Sequence, residues 1–207
     1  GIDAVIASDI AAISYASKIG LPVHISTQSN ITNIETVEFY SQFADVLVLA
    51  RELTLDQVSK IAKEIQRRKV IGPSGNRVQL EIFIHGALCM AVSGKCYLSL
   101  HSHFASANRG ACIQNCRSSY IVTDKDEGIE FEIDNEYIMS AKDLCTIEFL
   151  DQIVDAGVSV LKIEGRGRSE DYVYTTTQCY REALDAIATN AFTIKKKKLW
   201  LERLETV

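Results

Sequence analysis

Apolar runs of strand length alternate with amphipathic stretches of helix length along the first part of this chain. Ile2–Ala7 reads as a strand, Ile10–Ile19 as a helix stopped by Gly20, Pro22–Ser26 as a second strand and Ile34–Phe43 as a helix. Val46–Ala50 predicts a third strand. Thr54 stands where a hydroxyl can cap the free N–H groups of a helix start. Leu55, Val58, Ile61, Ala62 and Ile65 then recur on one face of a helix over Leu55–Arg68. Gly72-Pro73-Ser74-Gly75-Asn76 is turn chemistry, and Leu80–Ile84 reads as a fourth buried strand.

The alternation then stops. Cys89 to Arg117 is rich in Ser, Gly, Cys and Asn, and Ser119–Thr123 with Ile129–Ile133 fits a hairpin around Asp124–Gly128. Regularity returns with a helix near Thr146–Asp155, ended by Ala156-Gly157, a strand over Val158–Ile163, and a helix over Asp171–Ala188. Strand–helix repetition with short connections predicts an α/β fold, a parallel sheet covered by helices. A doubly wound sheet and a (β/α) barrel of TIM type both fit this order. With about five strands readable, a barrel made by this chain alone is incomplete. The division expected is a partial barrel over 1–190, carrying a cysteine-rich insertion at about 86–135 after one strand, and a C-terminal helical extension over 191–207.

Composition narrows the function classes. Hydrophobic residues make up 47% of 207, enough for a real core. The net charge of -5 disfavours general nucleic-acid binding, which needs clustered Lys and Arg, so any such contact is expected to be local. The one dense basic run, Lys195–Lys198, reads as a solvated helix face. No apolar stretch approaches the roughly 20 residues that cross a bilayer, so no membrane contact and a cytoplasmic location are expected. The chain opens on Gly1 directly into strand-like residues, which reads as a piece of a longer protein.

The chemistry concentrates in the cysteines. Cys89, Cys96, Cys112 and Cys116 follow C-x6-C-x15-C-x3-C and begin just past the end of a buried strand, the edge where parallel α/β folds carry their sites. Four thiolates suit soft metals. Zinc sites use close cysteine pairs, and only Cys112 and Cys116 are that close, so the wide spacing suits a 4Fe-4S cluster better than zinc. Lys95, Arg109 and Arg117 lie beside the ligands in sequence. Cys145 and Cys179 read as small buried hydrophobes in helices.

Polar residues at consecutive strand ends form the second candidate group. Gln28 and Asn30 follow the second strand, Arg51 and Glu52 the third, and His85 ends the fourth. Lys162, Glu164, Arg166 and Arg168 end or follow the strand Val158–Ile163. In a barrel these residues face one rim, where arginine forks bind carboxylates or phosphates. For His85 a core position is the alternative. Gly165-x-Gly167 lacks the third glycine of a dinucleotide fingerprint, so that reading is set aside.

Glu81-x-Phe83-x-x-Gly86-Ala87-Leu88-Cys89 and Gly94-Lys95-Cys96-Tyr97-Leu98-Ser99 resemble the signature of peptidase family U32. The similarity runs from Ser8-Asp9 through Ser26-Thr27-Gln28-Ser29-Asn30, Arg51-Glu52-Leu53 and Tyr137 to Leu144, ending at Leu161-Lys162-Ile163-Glu164-Gly165-Arg166. The branch it most resembles is that of the tRNA hydroxylation proteins. The resemblance implies a barrel core, a four-cysteine iron–sulfur centre, tRNA as partner, and prephenate as co-substrate in hydroxylation of the wobble uridine. It also implies that this chain lacks the first strands and a C-terminal portion. The family name offers a peptidase of collagenase-like type instead, although no G-x-S-x-G elbow and no H-E-x-x-H helix is present. A non-catalytic scaffold bearing the cluster is the third reading.

Overall fold

The computed structural model describes residues 1–133, 139 and 142–207. Its elements in chain order are β1 (Val5–Ala7), α1 (Ile10–Lys18), β2 (Val23–Ile25), α2 (Ile34–Tyr40), β3 (Val46–Val48), α3 (Leu55–Arg68) and β4 (Gln79–Gly86). There follow α4 (Leu98–His103), β5 (Tyr120–Thr123), β6 (Glu130–Ile133), β7 (Leu144–Cys145) and α5 (Leu150–Asp155). The chain ends with β8 (Val160–Ile163), α6 (Glu170–Ala188) and α7 (Ile194–Leu204). It divides into two compact units, one made of 1–86 with 145–207 and the other of 87–144. Residues 134 and 135 of the expected insertion, and Tyr137, Ile138, Ser140 and Ala141 of the Tyr137–Leu144 motif, lie outside the described residues.

In the first unit β1, β2, β3, β4 and β8 pair in that order, every pair parallel. The order never reverses. Right-handed crossovers between strands laid down in one direction put their helices on one face of the sheet, which is the barrel manner of winding and not the doubly wound one. The sheet is therefore compatible with a TIM-like fold. β7 also pairs with β4, giving a six-stranded sheet, and among the described residues no pairing closes it.

Register separates the two faces. Val23, Ile25, Leu47, Leu80 and Ile84 point to the helix layer and join Ile13, Val37, Val58, Ile61, Ile65, Ile153 and Ala183 in one buried core. The caps that start these helices follow from the sequence. Asp9 accepts from Ala12 N–H, and Thr54 with Gln57 forms a reciprocal capping box. Arg68 reaches Glu35, Glu38 and Glu64 at 2.9–3.1 Å and so ties α3 to α2. Hydrogen bonds from Arg67 and Arg68 hold the Glu64 carboxyl down at about 2. The residues of 191–207 include α7, whose Trp200 and Leu204 are buried in the same core. Trp200 Nε1–H donates to Glu182 on α6 at 2.9 Å.

Two contacts set how β4 meets its neighbours. Gly86 has φ +102°, and a Cβ there would lie 2.2 Å from the backbone carbonyl oxygen of Glu164 just beyond β8. The Tyr180 hydroxyl, carried in by α6, donates to Ile84 O at 2.9 Å and accepts from Thr146 N–H at 3.0 Å. Burial pushes the Tyr180 phenol far above its ordinary range, so it stays a neutral hydroxyl. Cys179 is fully buried beside it in α6, as expected, whereas Cys145 lies in a strand and is exposed. The expectation of a helical, buried Cys145 is corrected. The helix read over Thr146–Asp155 begins only at Leu150, after a 3₁₀ turn, so Cys145 falls in the preceding strand.

Gly86→Ala is expected to lose about 3 kcal/mol or more of stability, because both the left-handed φ and the carbonyl contact oppose a side chain. Urea unfolding measures it, and an unchanged midpoint would show that β4 and β8 can separate there at little cost. Tyr180→Phe is expected to lose about 1–2 kcal/mol, the cost of removing a buried hydroxyl from partners that stay buried. The same titration reads it.

Candidate functional site

The unit 87–144 holds all four cysteines of the motif. The stretch read as aperiodic contains the short helix α4 and two 3₁₀ turns, Ala107–Arg109 and Asn115–Arg117. Ser99, 2% exposed, is the residue that organises it. Its hydroxyl accepts from Ile113 N–H at 3.1 Å and donates to Asn115 Oδ1 at 3.4 Å, with Cys112 Sγ at 3.9 Å. Tyr120 Oη donates to Asn115 O at 2.6 Å. One small buried hydroxyl thus links the helix after Cys96 to the segment that carries Cys112 and Cys116.

All four thiols are free; Cys89 is exposed and the other three are half-buried. Burial pushes the Cys116 thiol up. The Arg117 guanidinium opposes that shift, and Cys112, Cys89 and Cys96 each add to it. The other three thiols thus all influence Cys116. Among the described residues no three His, Cys, Asp or Glu side chains are gathered closely enough to hold a metal ion. The donor chemistry fits an iron–sulfur group, four sulfurs on one compact unit with Arg117 alongside. Arg117 is itself fixed by Asp143 Oδ1 at 2.6 Å.

In the first unit the strand-end residues separate into groups. Gln28 sits in a 3₁₀ turn, Thr27–Ser29, just after β2, and its Oε1 accepts from Ser8 at 3.1 Å, joining the ends of β2 and β1. Asn30 closes that turn at φ 51°, a left-handed position that Asn tolerates. The Arg51 guanidinium lies 3.7 Å from the centroid of the Phe83 ring, while Glu52 beside it is exposed. Glu164 Oε1 accepts from the backbone N–H of Arg166 at 2.9 Å and shapes the turn after β8. Arg166 and Arg168 are exposed on that turn, and Arg168 stands 5.0 Å over the Tyr172 ring.

His85 goes elsewhere. A register irregularity between Phe83 and His85 turns it to the helix layer, where it is buried with Nδ1 3.3 Å from Tyr180 Oη and the Tyr172 ring 5.8 Å away. It occupies the core position that was the alternative reading.

Sequence reasoning missed the most constrained polar group. Register puts Ile6, His24, Val46, Val48, Glu81, Phe83, Val160 and Lys162 on the face opposite the helices. Glu81 is 3% exposed there. Its Oε1 lies 3.0 Å from Lys162 Nζ and its Oε2 3.4 Å from His24 Nδ1. Lys162 Nζ also stands 5.2 Å over the Phe83 ring that Arg51 covers. Only Lys162 was singled out from sequence. The available signal was the carboxylate that interrupts the apolar run Leu80–Ile84.

The family model for peptidase family U32 matches residues 1–207. The chain is 57% identical over 206 residues to a protein named collagenase from Porphyromonas gingivalis, covering 100% of this chain and 50% of that one. It is 34% identical over 216 residues to tRNA hydroxylation protein P of Helicobacter pylori, covering 99% and 48%. To a 23S rRNA 5-hydroxycytidine synthase of Escherichia coli it is 38% identical over 193 residues, covering 90% and 27%. The collagenase-named relative thus shares more identity with the chain than the RNA-hydroxylation relatives do. No solved structure matches the chain. The chain spans half or less of the length of these relatives, and over its whole described span it belongs to peptidase family U32.

Proposed function

We propose that this chain is the partial-barrel part of an iron–sulfur protein that hydroxylates a pyrimidine in RNA, with tRNA wobble uridine as the target and prephenate as co-substrate. The observation that carries the reading is that Cys89, Cys96, Cys112 and Cys116, spaced C-x6-C-x15-C-x3-C, all belong to one compact unit. Relatives named for tRNA and rRNA hydroxylation support the substrate class. Cys89, Cys96, Cys112 and Cys116 would hold the group. A 4Fe-4S cluster there would supply one-electron transfer, and zinc is the alternative occupant.

The chain's own residues bind and orient. Arg51, Lys162, Arg166 and Arg168 present cations near the ends of two strands, suited to the carboxylates of a small acid or to RNA phosphate. Gln28, Asn30, Glu52 and Glu164 supply the neighbouring polar groups. His85, held by Tyr180, orders the end of β4 from behind.

A peptidase is the second reading, favoured by the 57% identity to a collagenase-named protein. A cysteine nucleophile needs a lowered thiol pKa and a paired base. Burial moves Cys116 and Cys179 the other way. A scaffold bearing the cluster without catalysis is the third.

Anaerobic purification is expected to give iron and acid-labile sulfide in matching amounts, and Cys112→Ser to lose most of both. Protein that comes out free of iron, or loaded with zinc, would refute the cluster. In cells lacking the protein, nucleoside mass analysis is expected to show loss of 5-hydroxyuridine from tRNA, restored by the wild-type gene. Unchanged tRNA together with gelatin cleavage by the purified protein would establish the peptidase instead. Arg166→Ala in the whole protein is expected to weaken prephenate binding about tenfold, the worth of one charge-assisted hydrogen bond. Calorimetry checks it, and unchanged binding assigns Arg166 to the surface.

A further inference from the structure

The helix-free face of the sheet carries a polar group that packing does not require. Val46, Val48 and Val160 line the same face, so an apolar residue at position 81 would complete it. Burying a carboxylate instead costs desolvation that an ion pair in the interior at best offsets, and apolar replacements of similar volume are often as stable or better. Glu81 with its two basic partners is therefore poorly explained as a stabilising device.

Its geometry is that of a holder. The Glu81 side chain is 4% exposed, while Lys162 and His24 keep 26% and 31%. Each carboxylate oxygen takes one partner, Oε1 facing Lys162 Nζ and Oε2 facing His24 Nδ1. That leaves the ammonium with further N–H donors and the imidazole with Nε2 on its far edge. Two basic heads, partly open to solvent and anchored from below by one carboxylate, are preorganised to take an oxyanion between them. Preorganised donors bind without the ordering cost that free lysines carry. The Lys162 ammonium and the Arg51 guanidinium both stand over Phe83, so further positive charge lies on the same face.

We propose that Lys162 and His24 form a partly buried site for the carboxylate of a small organic acid, with Glu81 as the positioning residue that holds both. The partial burial of both heads favours a small acid over a polymer backbone. The place of this site in RNA hydroxylation rests on the reading above, whereas the binding is measured apart from any RNA.

The test is calorimetric titration of the purified chain with malonate, and separately with inorganic phosphate. Saturable malonate binding is expected, with phosphate at least tenfold weaker. Lys162→Gln should abolish it, Lys162→Arg should restore it to within a few-fold, and His24→Gln should weaken it about tenfold. Lys195→Gln, at an exposed lysine of α7, should change nothing. Glu81→Asp keeps the charge and withdraws it by one methylene, so it should weaken malonate about tenfold with a thermal melt close to wild type. That result separates positioning from mere stability and serves even where Lys162→Gln fails to fold. Absence of saturable malonate binding would overturn the site, as would malonate affinity unchanged in Lys162→Gln or Glu81→Asp. Phosphate binding as tight as malonate would overturn the carboxylate assignment. Lys162→Gln that loses malonate binding yet keeps tRNA hydroxylation in cells would leave the site standing and count against its role in that reaction.

Discussion

Strand β4 has to be satisfied on both edges and both faces at once, and the rest of the first unit is arranged around that requirement. β3 and β8 pair with it in parallel register, and β7 pairs with it as well. A parallel strand placed so has no solvent to fall back on, so its polar groups must find protein partners. Leu80 and Ile84 meet the helix layer, and the Tyr180 hydroxyl comes through that layer to the Ile84 carbonyl. At the end of the strand Gly86 lets the chain pass against the Glu164 carbonyl, where any side chain would collide. The cysteine-bearing unit begins at the next residue.

The two faces of the sheet are handled by different physics. The helix face is apolar, and its cohesion scales with area removed from water. The opposite face carries Glu81 between Lys162 and His24, where cohesion depends on pairing a buried charge. Removing one member of such a group leaves another uncompensated, so its residues act as a unit. Side chains on that face also differ in exposure, from Val48 at 0% to Ile6 at 58%. The edge at β1 is therefore the open part of the face.

Relatives of very different names share this frame. A collagenase-named protein and RNA-hydroxylation proteins align with nearly the whole chain. A fold hosts chemistry without choosing it. Any choice lies in the side chains beyond the strand ends and in the cysteine unit, and not in the alternation that builds the sheet.

That alternation was readable residue by residue. The strands at Val5, Val23, Val46, Leu80 and Val160, the Thr54 cap, the Gly20 and Gly157 stops and the four-cysteine spacing all follow from local rules of period, capping and turn chemistry. Family membership followed from the Glu81–Cys89 and Gly94–Ser99 segments. Only tertiary structure decided that His85 turns back to Tyr180, that Cys145 is an exposed strand residue, that Ser99 ties Cys112 to α4, and that Glu81 pairs across three strands with His24 and Lys162. Local periodicity reports which face a residue lies on. Pairing between residues 57 or 81 positions apart depends on strand order and register, as for Glu81 with His24 and with Lys162. Those are settled only when distant segments close on one another, because the energy that decides them is earned between segments and not within them.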